Sequence, residues 1–102
     1  MQKQAIGCVR AATDILGDKW TPELLRFLAN QEVGRFSGAQ DAVKGINPRT
    51  LSARFSKLEE VGIIERITKT GSSRCEYCLT EKGRALVPIL HAMDSWSRQY
   101  KS

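Results

Sequence analysis

An α+β fold is predicted by three observations. Helical periodicity runs through residues 8–61 and returns near the C-terminal end. Between these stretches the period falls to two, in Ile63-Ile64-Glu65-Arg66-Ile67-Thr68 and again in Arg74 to Leu79. The length of 102 residues is enough for one domain with a modest core, so residues 1–102 are expected to form a single unit.

The elements follow in order. Val9, Ala12, Ile15 and Leu16 line one side of a helix over residues 8–16, which Gly17 ends. Thr21-Pro22-Glu23 supplies a cap, a first-turn proline and a favourable acid to a second helix. That helix buries Leu24, Leu25, Phe27 and Leu28, with Trp20 as a core anchor just ahead of it. Gly34-Arg35-Phe36 is long enough only for an edge strand. Ser37 then caps a small helix through about Val43, whose inner residues are Ala39, Ala42 and Val43.

Gly45-Ile46 turns the chain into its most distinctive segment, Asn47 to Gly62. Asn47 can accept from a free backbone N–H, and Pro48 suits the first helical position because its missing donor costs nothing there. Gly62 suits the left-handed position just past the end. Leu51, Phe55 and Leu58 share a buried face, with Val61 beside them. The opposite face carries Arg49, Ser52, Ala53, Ser56 and Lys57, with Arg54 on a flank and no acid before Glu59 and Glu60. Two helices joined by a tight glycine-containing turn, the second basic outside, make a helix-turn-helix over about 37–61. The hairpin of about 63–79, with Lys69 and Arg74 flanking the polar loop Lys69-Thr70-Gly71-Ser72-Ser73, supplies a wing. The complete expectation is a winged helix-turn-helix with extra N- and C-terminal helices forming a dimer interface.

That C-terminal helix, about 81–100, opens at Thr80-Glu81 and carries Leu86, Ile89, Leu90, Met93 and Trp96, with Tyr100 further on. Pro88 inside the pattern predicts a kink or an offset start. The stripe is larger than one small domain needs, and an apolar terminal helix left exposed would be a liability. Val9, Ile15, Leu86, Leu90, Met93 and Trp96 are therefore expected to meet a second copy of the chain.

Composition narrows the function. A formal charge of +5 and a pI near 9.4 suit an anionic partner, although small basic housekeeping proteins share that balance. No apolar run approaches membrane-spanning length, and the N-terminal stretch Met1-Gln2-Lys3-Gln4 is not a secretory signal, so a cytoplasmic protein is expected. Three cysteines, an odd number, argue against a disulfide framework. Cys75 and Cys78 stand three apart in a strand and so point to opposite faces, and His91 is the only histidine; neither a metal site nor a cofactor is expected. No phosphate-binding glycine loop or His–carboxylate constellation supports an enzyme.

The motifs resemble those of the HxlR-type transcriptional regulators, relatives of the MarR winged-helix group. The matching pieces are Asp14-Ile15-Leu16-Gly17-Asp18-Lys19-Trp20-Thr21, Arg35-Phe36-Ser37 and Ile46 to Arg54. Leu58 to Arg66 and Glu76-Tyr77-Cys78-Leu79-Thr80-Glu81-Lys82-Gly83 complete them, in the family's order over nearly the whole chain. The resemblance implies a homodimeric regulator on an inverted-repeat operator in double-stranded DNA. Two departures stand out. Many members carry a Cys-Pro pair before the first helix, in some of them an oxidant or electrophile sensor; here the segment is Gly7-Cys8-Val9-Arg10, and the family cysteine aligns with Gly7. Cys8 is thus either a shifted redox sensor, its thiolate favoured by Arg10 and Lys3, or a small packing residue. Ala53 stands where relatives often place a long polar side chain, leaving a surface suited to a thymine methyl.

On this reading the site residues divide by reach. Arg49 reads a guanine edge, and Thr50, Ser52 and Ser56 bond bases, phosphates or bridging water. Arg54, Lys57, Lys69 and Arg74 meet phosphates, and Ser37 offers its hydroxyl and backbone N–H to another. Three other readings stay open: a winged-helix protein–protein module that has lost DNA binding, thiol regulation through Cys8, and an effector ligand on which the sequence is silent.

Overall fold

The computed structural model describes residues 5–67 and 76–101. Among them are six helices and one three-stranded sheet: α1 (Arg10–Leu16), α2 (Thr21–Ala29), β1 (Gly34–Arg35), α3 (Phe36–Ala42), α4 (Pro48–Glu60), β2 (Ile64–Ile67), β3 (Glu76–Leu79), α5 (Glu81–Arg84) and α6 (Val87–Tyr100). The sheet is antiparallel throughout with order β1-β3-β2. Ile64 faces Leu79 and Ile67 faces Glu76, so β2 and β3 are the arms of the expected hairpin, and Gly34 pairs with Tyr77 to add the edge strand.

The core joins α2, α3, α4 and the sheet. Leu24, Leu25, Leu28, Ala39, Val43, Leu51, Phe55, Leu58, Ile63 and Ile64 are almost wholly removed from water. Trp20 packs against this cluster, half-buried, as an anchor would. Phe55 stacks on Tyr77 with ring centroids 4.3 Å apart and meets Phe36 at 5.8 Å, which seats α4 on both β3 and α3.

Several local expectations are corrected. The first helix starts at Arg10, two residues late, and buries no residue fully; Ile15 and Leu16 reach the core edge while Val9 stays exposed. Thr21 is not the cap of α2 but its first residue. The acceptor is Asp18, whose Oδ1 takes the N–H of Trp20 and of Thr21, each at 2.8 Å, and whose Oδ2 takes the Thr21 hydroxyl. Ser37 does not cap α3 either: the helix begins one residue earlier, with Arg35 in the cap position and no side-chain bond there. Phe36, the first residue of α3, turns its ring toward Phe55.

The C-terminal helix is divided as Pro88 suggested. Thr80 accepts from Gly83 N–H through its hydroxyl and starts α5; the chain then breaks at Ala85 and Leu86, and α6 begins with Pro88 in its second position. Gly83 allows this course. A Cβ there would lie 2.2 Å from the carbonyl oxygen of Ile63, so only glycine lets α5 lie this close to the chain leaving α4. Leu86, expected on a surface for a second copy, is instead buried at the core edge. Leu90 is partly buried against the same cluster. The outward stripe on α6 is Ile89, Met93, Trp96 and Tyr100, and the Trp96 and Tyr100 rings lie 5.1 Å apart.

Candidate nucleic-acid interface

The interface is organised by α4. Asn47 Oδ1 accepts the Thr50 N–H at 2.8 Å, Pro48 occupies the first turn, and Gly62 follows the helix at φ +80°. Lys82 donates from Nζ to the Val61 carbonyl at 2.8 Å, placing a cation at the C-terminal end, where the helix dipole is negative. Leu51, Phe55 and Leu58 are inward. Arg49, Ser52, Ala53, Ser56 and Lys57 are all exposed on the outer side, and Thr50 is half-buried. Glu59 bonds Arg66 at 3.5 Å, which turns the first acid of the helix toward the sheet. Ser37 is exposed on the preceding helix. The outer face is therefore cationic and hydroxyl-bearing over its first two and a half turns.

Arg54 departs from the expected role. Its Nη1 bonds Asp18 Oδ2 at 3.3 Å, and its Nε is buried without a hydrogen-bond partner among the described residues. From the sequence alone Arg54 reads as a phosphate ligand and Asp18 has no role. The only hint was an acid placed just before a proline-led helix, which is an N-cap signature. Burial by itself would raise the Asp18 pKa. The Thr21 hydroxyl, the Thr21 and Trp20 N–H groups and the Arg54 charge outweigh it and hold the carboxyl below its ordinary value.

Lys69, Arg74 and Cys75 lie outside the described residues. The arms that lead to the wing tip, β2 and β3, are described: Arg66 lies over the Tyr77 ring at 5.7 Å, and Glu76 pairs with Arg35 of the edge strand at 3.5 Å. Cys78, opposite Glu65 on β3, is half-buried. Burial pushes its thiol up, and the neighbouring Glu65 adds to this against a smaller opposing effect of Arg84. Cys8 is exposed ahead of α1, where the Arg10 N–H points at its sulfur from 3.4 Å.

The residues that build this capped helix, the helix before it and the hairpin after it fall within 15–102, which match the family model of the HxlR-like helix-turn-helix proteins. The chain belongs to the HxlR family. It is 36% identical over 95 residues to an HTH-type transcriptional regulator of Methanothermobacter thermautotrophicus, a match spanning 92% of this chain and 72% of that protein. Among solved structures, the redox regulator HypR in its oxidized form superposes with a TM-score of 0.85 at 29% identity, covering 92% of this chain and 97% of HypR. A candidate transcription factor, PA1607, gives a TM-score of 0.83 at 33% identity, and the match covers 93% of this chain and 66% of PA1607.

As an HxlR-type protein the chain is a transcription regulator with a winged helix-turn-helix fold for binding DNA, and its relatives are transcriptional regulators rather than enzymes. No helix among the described residues is long and apolar enough to cross a membrane.

Proposed function

We propose that this HxlR-type regulator is a homodimeric repressor that reads an inverted-repeat operator through α4 and the wing. The observation that carries the reading is the outer face of α4, where Arg49, Ser52, Ala53, Ser56 and Lys57 stand exposed with no acid among them. A helix of this kind fits the major groove with its N-terminal half deepest. Arg49 has the reach and the planar donor pair for a guanine edge, while Ala53 offers a methyl to a thymine. Thr50, Ser52 and Ser56 supply shorter hydrogen bonds. Lys57, Ser37 and the wing cations Lys69 and Arg74 serve phosphates.

Pairing rests on the apolar residues left outside the fold. Trp96 is 65% exposed, Tyr100 60% and Val9 59%, and Met93 and Ile89 stand on the same α6 stripe. Ile15 and Leu90, which pack partly against the core, are the inner members of the proposed pairing surface. A two-fold dimer sets two recognition helices against two half-sites, and from that symmetry an inverted repeat follows.

Selection of ligands from a random DNA pool tests the reading directly, because a two-fold reader enriches inverted repeats. On the selected operator, Arg49→Ala should cost about 1–3 kcal/mol and relax preference at one base position. If the protein at micromolar concentration shows no salt-sensitive binding to duplex DNA, the fold serves protein–protein contact instead.

A second reading, thiol control through Cys8, is favoured by one observation: this exposed cysteine lies between Ile6 and Val9, both exposed, beside the surface assigned to the second copy. The similarity to the redox regulator HypR points the same way. The test is operator affinity after mild oxidation with diamide. Thiol control predicts a change in affinity that reductant reverses and that Cys8→Ser abolishes.

A further inference from the structure

Arg54 sits in the middle of α4, among residues that face DNA in the reading above, yet its guanidinium is directed back into the protein. Its partner is a carboxylate already committed at both oxygens. Asp18 Oδ1 holds two N–H groups at the start of α2, and Oδ2 holds the Thr21 hydroxyl and Arg54 Nη1. Asp18 lies in the turn two residues after the end of α1, and its side chain joins the first turn of α2 to the centre of the recognition helix. The two partners are 36 residues apart in the chain and each is about one-third exposed, at 36% and 32%. Water partly screens the pair, and the extra bonds at Asp18 hold the carboxylate in place for Arg54.

We infer that Arg54 is a positioning residue. Through Asp18 it sets the recognition helix against the α1–α2 turn, and it thereby ties the angle at which α4 is presented to the N-terminal elements that carry Val9, Ile15 and Cys8. The inference rests on the operator-binding reading, and it differs from that reading's treatment of the basic face: Arg54 contributes to specific affinity without touching a phosphate. The arrangement has a physical logic. α3 and the sheet hold the inner face of α4 by apolar packing, which is non-directional, whereas the hydrogen-bonded pair adds a directional restraint at mid-helix.

The experiment compares wild type, Arg54→Gln, Asp18→Asn and the double variant by fluorescence anisotropy. The ligands are the selected operator and a random duplex, each at several salt concentrations. Positioning predicts that each single substitution weakens operator binding by a similar factor, roughly tenfold, and that the double variant is no worse than either. It also predicts salt slopes equal to wild type and little change on random duplex. A phosphate ligand predicts the opposite pattern. Arg54→Gln would weaken both DNAs alike and lower the salt slope by about one, while Asp18→Asn, by freeing a cation, would leave binding unchanged or tighter. That pattern, or additive losses, overturns the inference.

Hydrogen exchange on the free protein gives a second measurement that needs neither DNA nor the Asp18 variant. Positioning predicts faster exchange in α4 of Arg54→Gln than of wild type; equal exchange overturns it. If wild type binds no duplex DNA the operator reading falls, and the exchange comparison still decides whether Arg54 holds the helix.

Discussion

Asn47 lets the stability of the recognition helix be separated from its affinity for DNA. It stands just outside α4, exposed, with its side-chain oxygen 2.8 Å from the Thr50 N–H and its backbone carbonyl 3.0 Å from the Leu51 N–H. Since Pro48 has no N–H, Arg49 and Thr50 carry the unsatisfied donors of the first turn, and Asn47 meets one of them. Asn47→Ala removes that acceptor but leaves the donor at an exposed site where water replaces it. The cost therefore falls in the middle of the range for lost caps, about 1 kcal/mol, which lowers the melting temperature of a domain this size by roughly 4–8 °C. Asn47→Asp keeps the acceptor and adds a charge that the helix dipole favours, so stability should match or exceed wild type. The same charge lies next to Arg49 on the face assigned to DNA, so operator binding should weaken and its salt slope become shallower by about one unit. Urea denaturation and anisotropy titrations at three salt concentrations measure both quantities. An Asn47→Ala variant within about 0.3 kcal/mol of wild type would refute the capping argument, given the usual magnitude of such caps. An Asn47→Asp variant that bound operator as wild type does would remove this end of α4 from the interface.

Three further outcomes are expected. Gly83→Ala places a methyl 2.2 Å from the Ile63 carbonyl oxygen, which also accepts the Thr80 N–H at 3.0 Å. Overpacking should outweigh the helix-propensity gain and destabilise the fold by about 1–3 kcal/mol in urea denaturation. Asp18 has a folded-state pKa below its unfolded value, so its contribution is present above the unfolded pKa and is lost as pH falls through the folded one. Thermal melts should accordingly show a loss on acidification below about pH 4 that is smaller in Asp18→Asn. Replacing Met93 and Trp96 together by serine should leave the fold intact, because both are exposed, and should shift sedimentation from dimer to monomer. An unchanged sedimentation coefficient would move the pairing surface elsewhere.

How much of this was legible in advance depended on the range of the interactions. The recognition helix was read to within a residue because its signals are local: Asn47 caps, Pro48 starts, Gly62 ends at positive φ, and Leu51, Phe55 and Leu58 turn inward. The hairpin was equally readable from its period of two. Thr21 and Ser37 read as caps from the sequence because serine and threonine are good caps in general. In this chain Asp18 lies within reach of the first turn of α2, and α3 begins at Phe36, whose ring turns toward Phe55. Leu86 continued an apolar stripe on paper, but the break before Pro88 rotates it into the core and leaves Ile89, Met93 and Trp96 outside.

The sequence by itself therefore determined the element order, the capped helix with its acid-free outer face, and the family to which the chain belongs. Each of these is written in short local motifs and in their order along the chain. Only the tertiary structure decided which cations of that face remain exposed and which is bound within the protein. Arg49 and Arg54 have the same chemistry and the same helix. What separates them is a carboxylate 36 residues earlier in the chain, brought to 3.3 Å from Arg54 by the packing of α2 and α4 in one core. Periodicity places a side chain on a face, but the partner it finds there depends on every other element of the fold.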